Sequence, residues 1–291
     1  MKKYEELGFS DQFMFNKLME DPKLCKRVLE LLLQTELSEL TTPIAEKGIK
    51  ETADGKAIRL DVYTKDSVSG AVYDAEMQNL NRRSVDSLYL PERSRYYQSA
   101  IDTAELKEGD DYRKLPDCNI IFLCTFDPFD KGLYRYSFGE YCEESPGLML
   151  QSRARKVFFN TLSCNEKMPK AISCFFNYIN TGIPSDEFTR EIEKMVEEAR
   201  NNVEWSREYL LQKVWRRDII EEGREEGREE GREIGLVEGR AEGRAEGRLN
   251  ELVQMLENGA TEDILRKYNK ATDEEIATAR ERLASSDEKT E

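Results

Sequence analysis

AIRLDVYTKDSVSGAVYDAEMQ, residues 57–78, is the stretch that decides the fold. Its two ends, 57–65 and 71–78, carry the β-branched and aromatic residues of strands, and Asp66-Ser67-Val68-Ser69-Gly70 between them is turn chemistry. Alternation along the second strand puts Asp74, Glu76 and Gln78 on one face and Tyr73, Ala75 and Met77 on the other, fit for a core. Along the first it groups Arg59, Asp61 and Tyr63 against Leu60 and Val62. A loop from Ser67 to Gly70 pairs residues whose numbers sum to 137, which sets Asp61 across from Glu76 and Arg59 across from Gln78. Opposed Cβ atoms lie about 5 Å apart, and like charges there are unfavourable. A divalent ion such as Mg²⁺ between them takes carboxylate oxygens. It would also polarise a scissile phosphate and lower the pKa of an attacking water. A solvent-facing pair of acids with no partner is the plain alternative, and the spacing alone leaves it open.

The absence of histidine narrows the chemistry further. It removes Ser-His-Asp and Cys-His hydrolysis, His-ligated zinc and histidine-based nucleases. Hydrolysis in this chain must run on carboxylates, Lys, Tyr, Ser or a bound metal. The six cysteines are scattered with no C-x-x-C pair, several of them in apolar runs, so they read as buried hydrophobes rather than ligands. The first residues, MKKYEELGFSDQF, lack the apolar core of a signal peptide, and no apolar run reaches spanning length. A cytoplasmic protein with reduced thiols and no membrane association is expected.

Upstream of the hairpin, residues 10–34 read as helix. Ser10 or Asp11 caps the start, and Phe13, Leu18, Val28, Leu29, Leu32 and Leu33 form an apolar face. Asp21-Pro22 splits it in two. Downstream, 84–106 reads as a long helix with a kink or break at Pro91, and strands follow at 118–126, 133–141 and 154–161. Helix returns at 168–180 and 186–220. This order predicts an α/β fold.

Residues 221–248, EEGREEGREEGREIGLVEGRAEGRAEGR, repeat glycine every four positions. Glu and Arg can meet at i,i+3, yet each mid-helix glycine costs about 0.5–1 kcal/mol relative to alanine. The sequence favours a solvated, partly helical spacer over a packed coiled coil. Two or three short helices follow, with Leu252, Leu256, Ile264, Leu265 and Ile276 as apolar positions. The domain reading is therefore a globular domain at 1–185, a helical extension at 186–220, the Gly-Arg-Glu repeat at 221–248 as spacer or extended helix, and a small helical region at 249–291. The net charge of −15 lies mostly in the tail: residues 1–185 carry a net −4 and residues 186–291 a net −11.

Asp61, the hairpin, Glu76-Met77-Gln78 and the Arg- and Tyr-containing helix after them resemble the PD-(D/E)XK nuclease motif. More narrowly, FSDQFMFNKLM, RLDVYTKD, YDAEMQ, RYYQSAIDTAELKEGDDY and IIFLCTFDPF, in that order, resemble the Rpn family of recombination-promoting nucleases and transposases. The resemblance covers roughly residues 5–180 and extends to the EGR-type repeats. It implies a restriction-endonuclease-like core of mixed sheet flanked by helices, with an extended helical C-terminal tail. It also implies a Mg²⁺- (or Mn²⁺-) dependent DNA endonuclease serving recombination, mobile-element activity or defence against foreign DNA. By motif position Asp61 and Glu76 would be metal ligands, and Gln78 would take the place of the motif lysine. Glutamine can orient a water or a phosphate oxygen but brings no positive charge.

Asp11 reads as an accessory acid near the metal or as the N-cap of the first helix. Arg93, Arg95 and Tyr97 are candidate phosphate contacts or a solvated helix face. Arg153, Arg155 and Lys156, the densest basic cluster, are candidate DNA-backbone contacts. Because cutting both strands of a duplex usually takes two active sites, a homodimer aided by the tail is expected. Two other functions fit the residues: a non-catalytic DNA-binding or protein-interaction module on a decayed nuclease fold, which Gln78 favours and Asp61 with Glu76 oppose, and a strand-joining transposase.

Overall fold

A computed structural model describes residues 2–49, 57–79, 89–164 and 166–287. Its elements form two compact units, Met1–Leu211 and Gln212–Glu291. In the first unit the leading segment folds as two helices, α1 (Gln12–Met19) and α2 (Pro22–Leu33), separated where expected. Asp21 caps α2 by accepting from the Leu24 N–H at 2.8 Å. Pro22 occupies the first turn, where its missing N–H costs nothing.

A six-stranded sheet follows, made of β1 (Ile44–Ile49), β2 (Ile58–Lys65), β3 (Val72–Gln78), β4 (Cys118–Cys124), β5 (Arg135–Phe138) and β6 (Ala154–Asn160), in the order β1-β2-β3-β4-β6-β5. β1, β2 and β3 form an antiparallel meander, β3, β4 and β6 are parallel, and β5 closes the edge antiparallel to β6. β1 is a strand the composition did not announce, since it holds Gly48 and a left-handed Glu46 with φ 53°. The expected 133–141 strand shrinks to four residues. Helix α3 runs Leu90–Glu105 with Pro91 in its first turn, so the proline starts the helix rather than kinking it. Expected helical residues 84–88 lie outside the described residues.

Helices cover both sheet faces. One face (Val62, Ala75, Met77, Ile121, Leu123, Val157, Phe159) packs on α1 and α2 together with α4 (Lys170–Thr181) and α5 (Glu187–Arg200). The other (Leu60, Tyr63, Val72, Ile120, Phe122, Phe158) packs on Leu90, Tyr97 and Ile101 of α3. The N-terminal segment is tied to the far end of this unit: Tyr4 Oη donates to the Ala199 carbonyl at 2.6 Å, and Arg200 Nε donates to the Leu7 carbonyl at 2.8 Å. Trp205 and Tyr209 pack on the same core. The expected extension at 186–220 thus contributes α5 and the start of the next helix to the globular unit.

The strand-face assignment for β2 needs one correction. Leu60 joins the core with Tyr63, and Val62 joins the opposite one, so the alternation slips at Asp61. The β1–β2 ladder pairs Ala45 with Val62 and Lys47 with Leu60 but skips Glu46 and Asp61. The left-handed Glu46 breaks the pleat at that point.

Helix α6 (Val203–Glu257) runs unbroken through the glycine repeat, where every residue from 221 to 248 is solvated. Within Gln212–Glu291, Leu252 of α6, Leu265 of α7 (Glu262–Tyr268) and Ile276 and Ala279 of α8 (Asp273–Asp287) form a small core. Leu265 enters that core, whereas Ile264, expected beside it, is 41% exposed. Among the described residues no helix is long and apolar enough to cross a membrane.

Candidate catalytic centre

β3 lies at the middle of the sheet with all seven residues buried, so its acids cannot be a solvent-facing pair. Asp61 is 2% exposed, Glu76 1% and Asp74 0%. The hairpin has the expected register: Lys65 pairs with Val72, Tyr63 with Asp74 and Val62 with Ala75. Beyond Val62 the carboxylates take over from the ladder. The Asp61 N–H donates to Glu76 Oε1 at 2.8 Å, and the Met77 N–H donates to Asp61 Oδ2 at 3.1 Å. Each acid thus holds the backbone of the other strand, and both carboxyl groups come to one place.

Three neighbours complete the cluster. Gln12, in the first turn of α1, donates from Nε2 to Asp61 Oδ1 at 2.8 Å. Gln78 faces Glu76, as alternation requires, and donates to its Oε2 at 3.3 Å. Arg93 of α3 donates to Glu76 Oε2 at 2.9 Å, to Gln78 Oε1 at 3.1 Å and to Tyr97 Oη at 3.2 Å. Arg93 therefore supplies beside Glu76 the positive charge that Gln78 lacks.

Burial dominates the electrostatics. It raises the pKa of Asp61, against the hydrogen bonds from Gln12 and Met77 and the charges of Arg93 and Arg59. It raises Glu76 and Asp74 well above their ordinary values, helped by the charge of Asp61 in both cases. Neither oxygen of Asp74 has a hydrogen-bond partner. One arginine does not balance three neighbouring buried carboxyl groups in their charged forms, and hard carboxylate oxygens would suit a divalent cation. Among the described residues no three acidic or cysteine side chains are arranged to hold a metal ion. Asp61 and Glu76 are the two acids that these hydrogen bonds tie to one another's strands, and they could hold an ion. Mg²⁺ often binds through one or two carboxylates, with water and substrate phosphate completing its shell.

The remaining expected residues are dispersed. Asp11 occupies the N-cap position of α1 without capping it; its carboxylate accepts from the Gly8 N–H at 2.8 Å and pairs with Lys2 at 2.7 Å. Its neighbour Gln12 is the residue that reaches Asp61. Arg95 is on the exposed side of α3. Arg153, Arg155 and Lys156 divide between faces: Arg155 alternates with Val157 and Phe159 and so lies on the face away from Glu76, while Lys156 shares the side of Phe158 and acts on Asp102. Arg153 pairs with Asp117 at 3.6 Å. Gln12 and Asp74 are the residues sequence reasoning left out of the site. Asp74 was legible on the Glu76 face, but nothing in the sequence connects Gln12 to Asp61.

A family model described as PD-(D/E)XK nuclease family transposase matches residues 12–163, which contain this cluster and all six strands. The mixed sheet flanked by helices is the α/β fold of such nucleases. No curated protein and no solved structure matches the chain.

Proposed function

We propose, starting from the fact that the chain belongs to the PD-(D/E)XK nuclease family transposases, that it is a divalent-metal-dependent DNA endonuclease whose centre is Asp61 and Glu76. One observation carries the reading: two buried carboxylates, each held by the other's strand, meet beside an arginine and a glutamine. Asp61 and Glu76 would hold Mg²⁺ or Mn²⁺, which supplies Lewis-acid polarisation of the phosphate and a more acidic water. Gln12 fixes the orientation of Asp61, and Arg93 fixes that of Glu76. Gln78, held between Arg93 and Glu76, orients a water or a phosphate oxygen. Arg93 keeps a quarter of its side chain exposed and can turn charge toward a phosphate. Arg95 and Lys156 add positive charge for the DNA backbone, and recombination or defence against foreign DNA is the setting.

In this scheme residues 1–185, packed with α5 and the start of α6 from 186–220, carry the chemistry, and 221–248 and 249–291 form a tail through which two copies associate. Ile234, Leu236 and Val237 of α6, beyond Arg217, are exposed and give a dimer apolar contact. The test is plasmid nicking by purified full-length protein in Mg²⁺, Mn²⁺ or EDTA, alongside Glu76→Ala. Cleavage that persists in EDTA or in Glu76→Ala would overturn the proposal, and DNA binding without any cleavage would favour the non-catalytic module.

A further inference from the structure

On the sheet face turned away from the carboxylates, where β3, β4 and β6 begin, lies a cleft of about 890 Å³. Its floor is a cross-strand row, since Tyr73 pairs with Asn119 and Asn119 with Arg155. Arg135 and Ser137 enter from the edge strand β5, and Arg153 from the residues leading into β6. The volume falls within the roughly 300–1,000 Å³ of ordinary small-molecule sites.

The charges in this cleft are uneven. Arg153 is occupied, paired with Asp117 and donating to the Arg113 carbonyl at 3.4 Å. Arg135 and Arg155 make no ion pair with any described residue. Arg135 donates from Nε to Ser137 Oγ at 3.0 Å and lies over the Phe159 ring, which leaves its terminal N–H groups for another partner. Burial holds the pKa of Arg135 below its ordinary value, and the positive charge of nearby Arg155 adds to the effect. A chain with net charge −15 thus lines one cleft with two guanidinium groups, half-buried Arg135 and exposed Arg155, that make no ion pair with a described residue. Half-exposed Met149 stands beside them as an apolar contact.

We propose that this cleft binds a nucleotide by its phosphate, with Arg135 and Arg155 as the paired donors. Two guanidinium groups match the charge of a phosphate monoester and its oxygen geometry. Met149 gives a base an apolar contact, and Asn119 and Ser137 offer polar contacts to its edge or to the sugar. A mononucleotide fits within the volume; the phosphates of a longer strand are the other source of the same chemistry. The site goes beyond the nuclease reading and does not depend on it, because it lies on the opposite face and needs no metal.

Isothermal titration of the full-length protein in EDTA tests it, with inorganic phosphate, adenosine monophosphate and a short oligodeoxynucleotide lacking terminal phosphates as ligands. The mononucleotide should bind one per chain. Its affinity should fall roughly tenfold or more in Arg155→Ala and in Arg135→Gln, the loss expected for a charge-assisted hydrogen bond. Arg155→Lys should fall less, since lysine keeps the charge and loses the fork. Circular dichroism confirms that each variant is folded. Absence of mononucleotide binding to wild type overturns the proposal. So does equal affinity in folded Arg155→Ala, or binding of the oligonucleotide alone with sensitivity to Arg155, which would assign the arginines to polymer phosphates.

Discussion

Asp61 and Glu76 are joined through main chain rather than through each other's side chains: the amide of Asp61 feeds Glu76 Oε1, and the amide next to Glu76 feeds Asp61 Oδ2. These bonds stabilise the charged forms, while burial opposes them. Replacing either acid by its amide keeps an oxygen acceptor and removes a buried charge. Asp61→Asn and Glu76→Gln should therefore lower metal-dependent nicking by about 10²-fold or more, with metal-free melting temperatures equal to or above wild type. Wild-type nicking rates in both variants would remove the two residues from the centre.

Gln78 and Arg93 act as a unit, because the guanidinium bonds the glutamine oxygen and Glu76 at once. Gln78→Lys should retain nicking, and Gln78→Leu should lose most of it. Arg93→Lys cannot span both acceptors and should lose about tenfold or more. Arg93→Ala should also melt lower in metal-free buffer and regain part of the loss on adding Mg²⁺. A melting curve insensitive to the metal would disconnect Arg93 from the ion.

The acid side of stability is set away from the centre. Burial opposes ionisation of Glu105, but hydrogen bonds from Lys65 and Tyr63 outweigh it and hold its pKa below the ordinary value. A depressed folded pKa gives stability that is present above the unfolded value and lost as pH falls through the folded one. Between pH 7 and pH 3, wild type should lose more melting temperature than Glu105→Gln. Parallel curves would show that the pair contributes nothing.

The tail offers a sharper test than truncation alone. A Cβ added at Gly227, Gly231 or Gly235 meets nothing within 4 Å. In an isolated helix each Gly→Ala should add about 0.5–1 kcal/mol of helix stability. Light scattering on full-length protein and on a chain ending at Arg217, which keeps Trp205 and Tyr209 on their core, should give a dimer and a monomer respectively. Equal masses would leave the tail as a spacer. If two copies approach through the glycines, Gly227→Ala with Gly231→Ala should weaken the dimer while raising helicity. A dimer unaffected by both substitutions would place the contact on the apolar positions instead.

Much of the fold was legible because local chemistry and tertiary structure agree. Asp21-Pro22 both predicts and makes a helix start, and a four-residue turn fixes a register that the hairpin keeps. β1 was not legible: Glu46 adopts a left-handed conformation and Gly48 contributes no side chain, so no period-2 signal survives. The slip at Asp61 was hidden for the same reason, since alternation assumes an unbroken pleat. The turn length placed Asp61 across from Glu76 but left their role open, whereas Gln12 and Arg93 reach them from separate helices that only tertiary packing brings near.

The bond from Tyr4 to Ala199 has a consequence for timing. Its partner is translated 195 residues later, which at about 5–20 residues per second is a delay on the order of 10–40 s. Leu7 waits as long for Arg200. While the chain is being made, Tyr4 and Leu7 lack these two partners, and only the packing of α1 on α2 and the first strands holds Gln12 near Asp61. A ribosome-bound chain would hold both acids and the strands around them while their N-terminal brace is still unmade. The N-terminal brace of the proposed centre is then completed only after most of the globular unit has emerged.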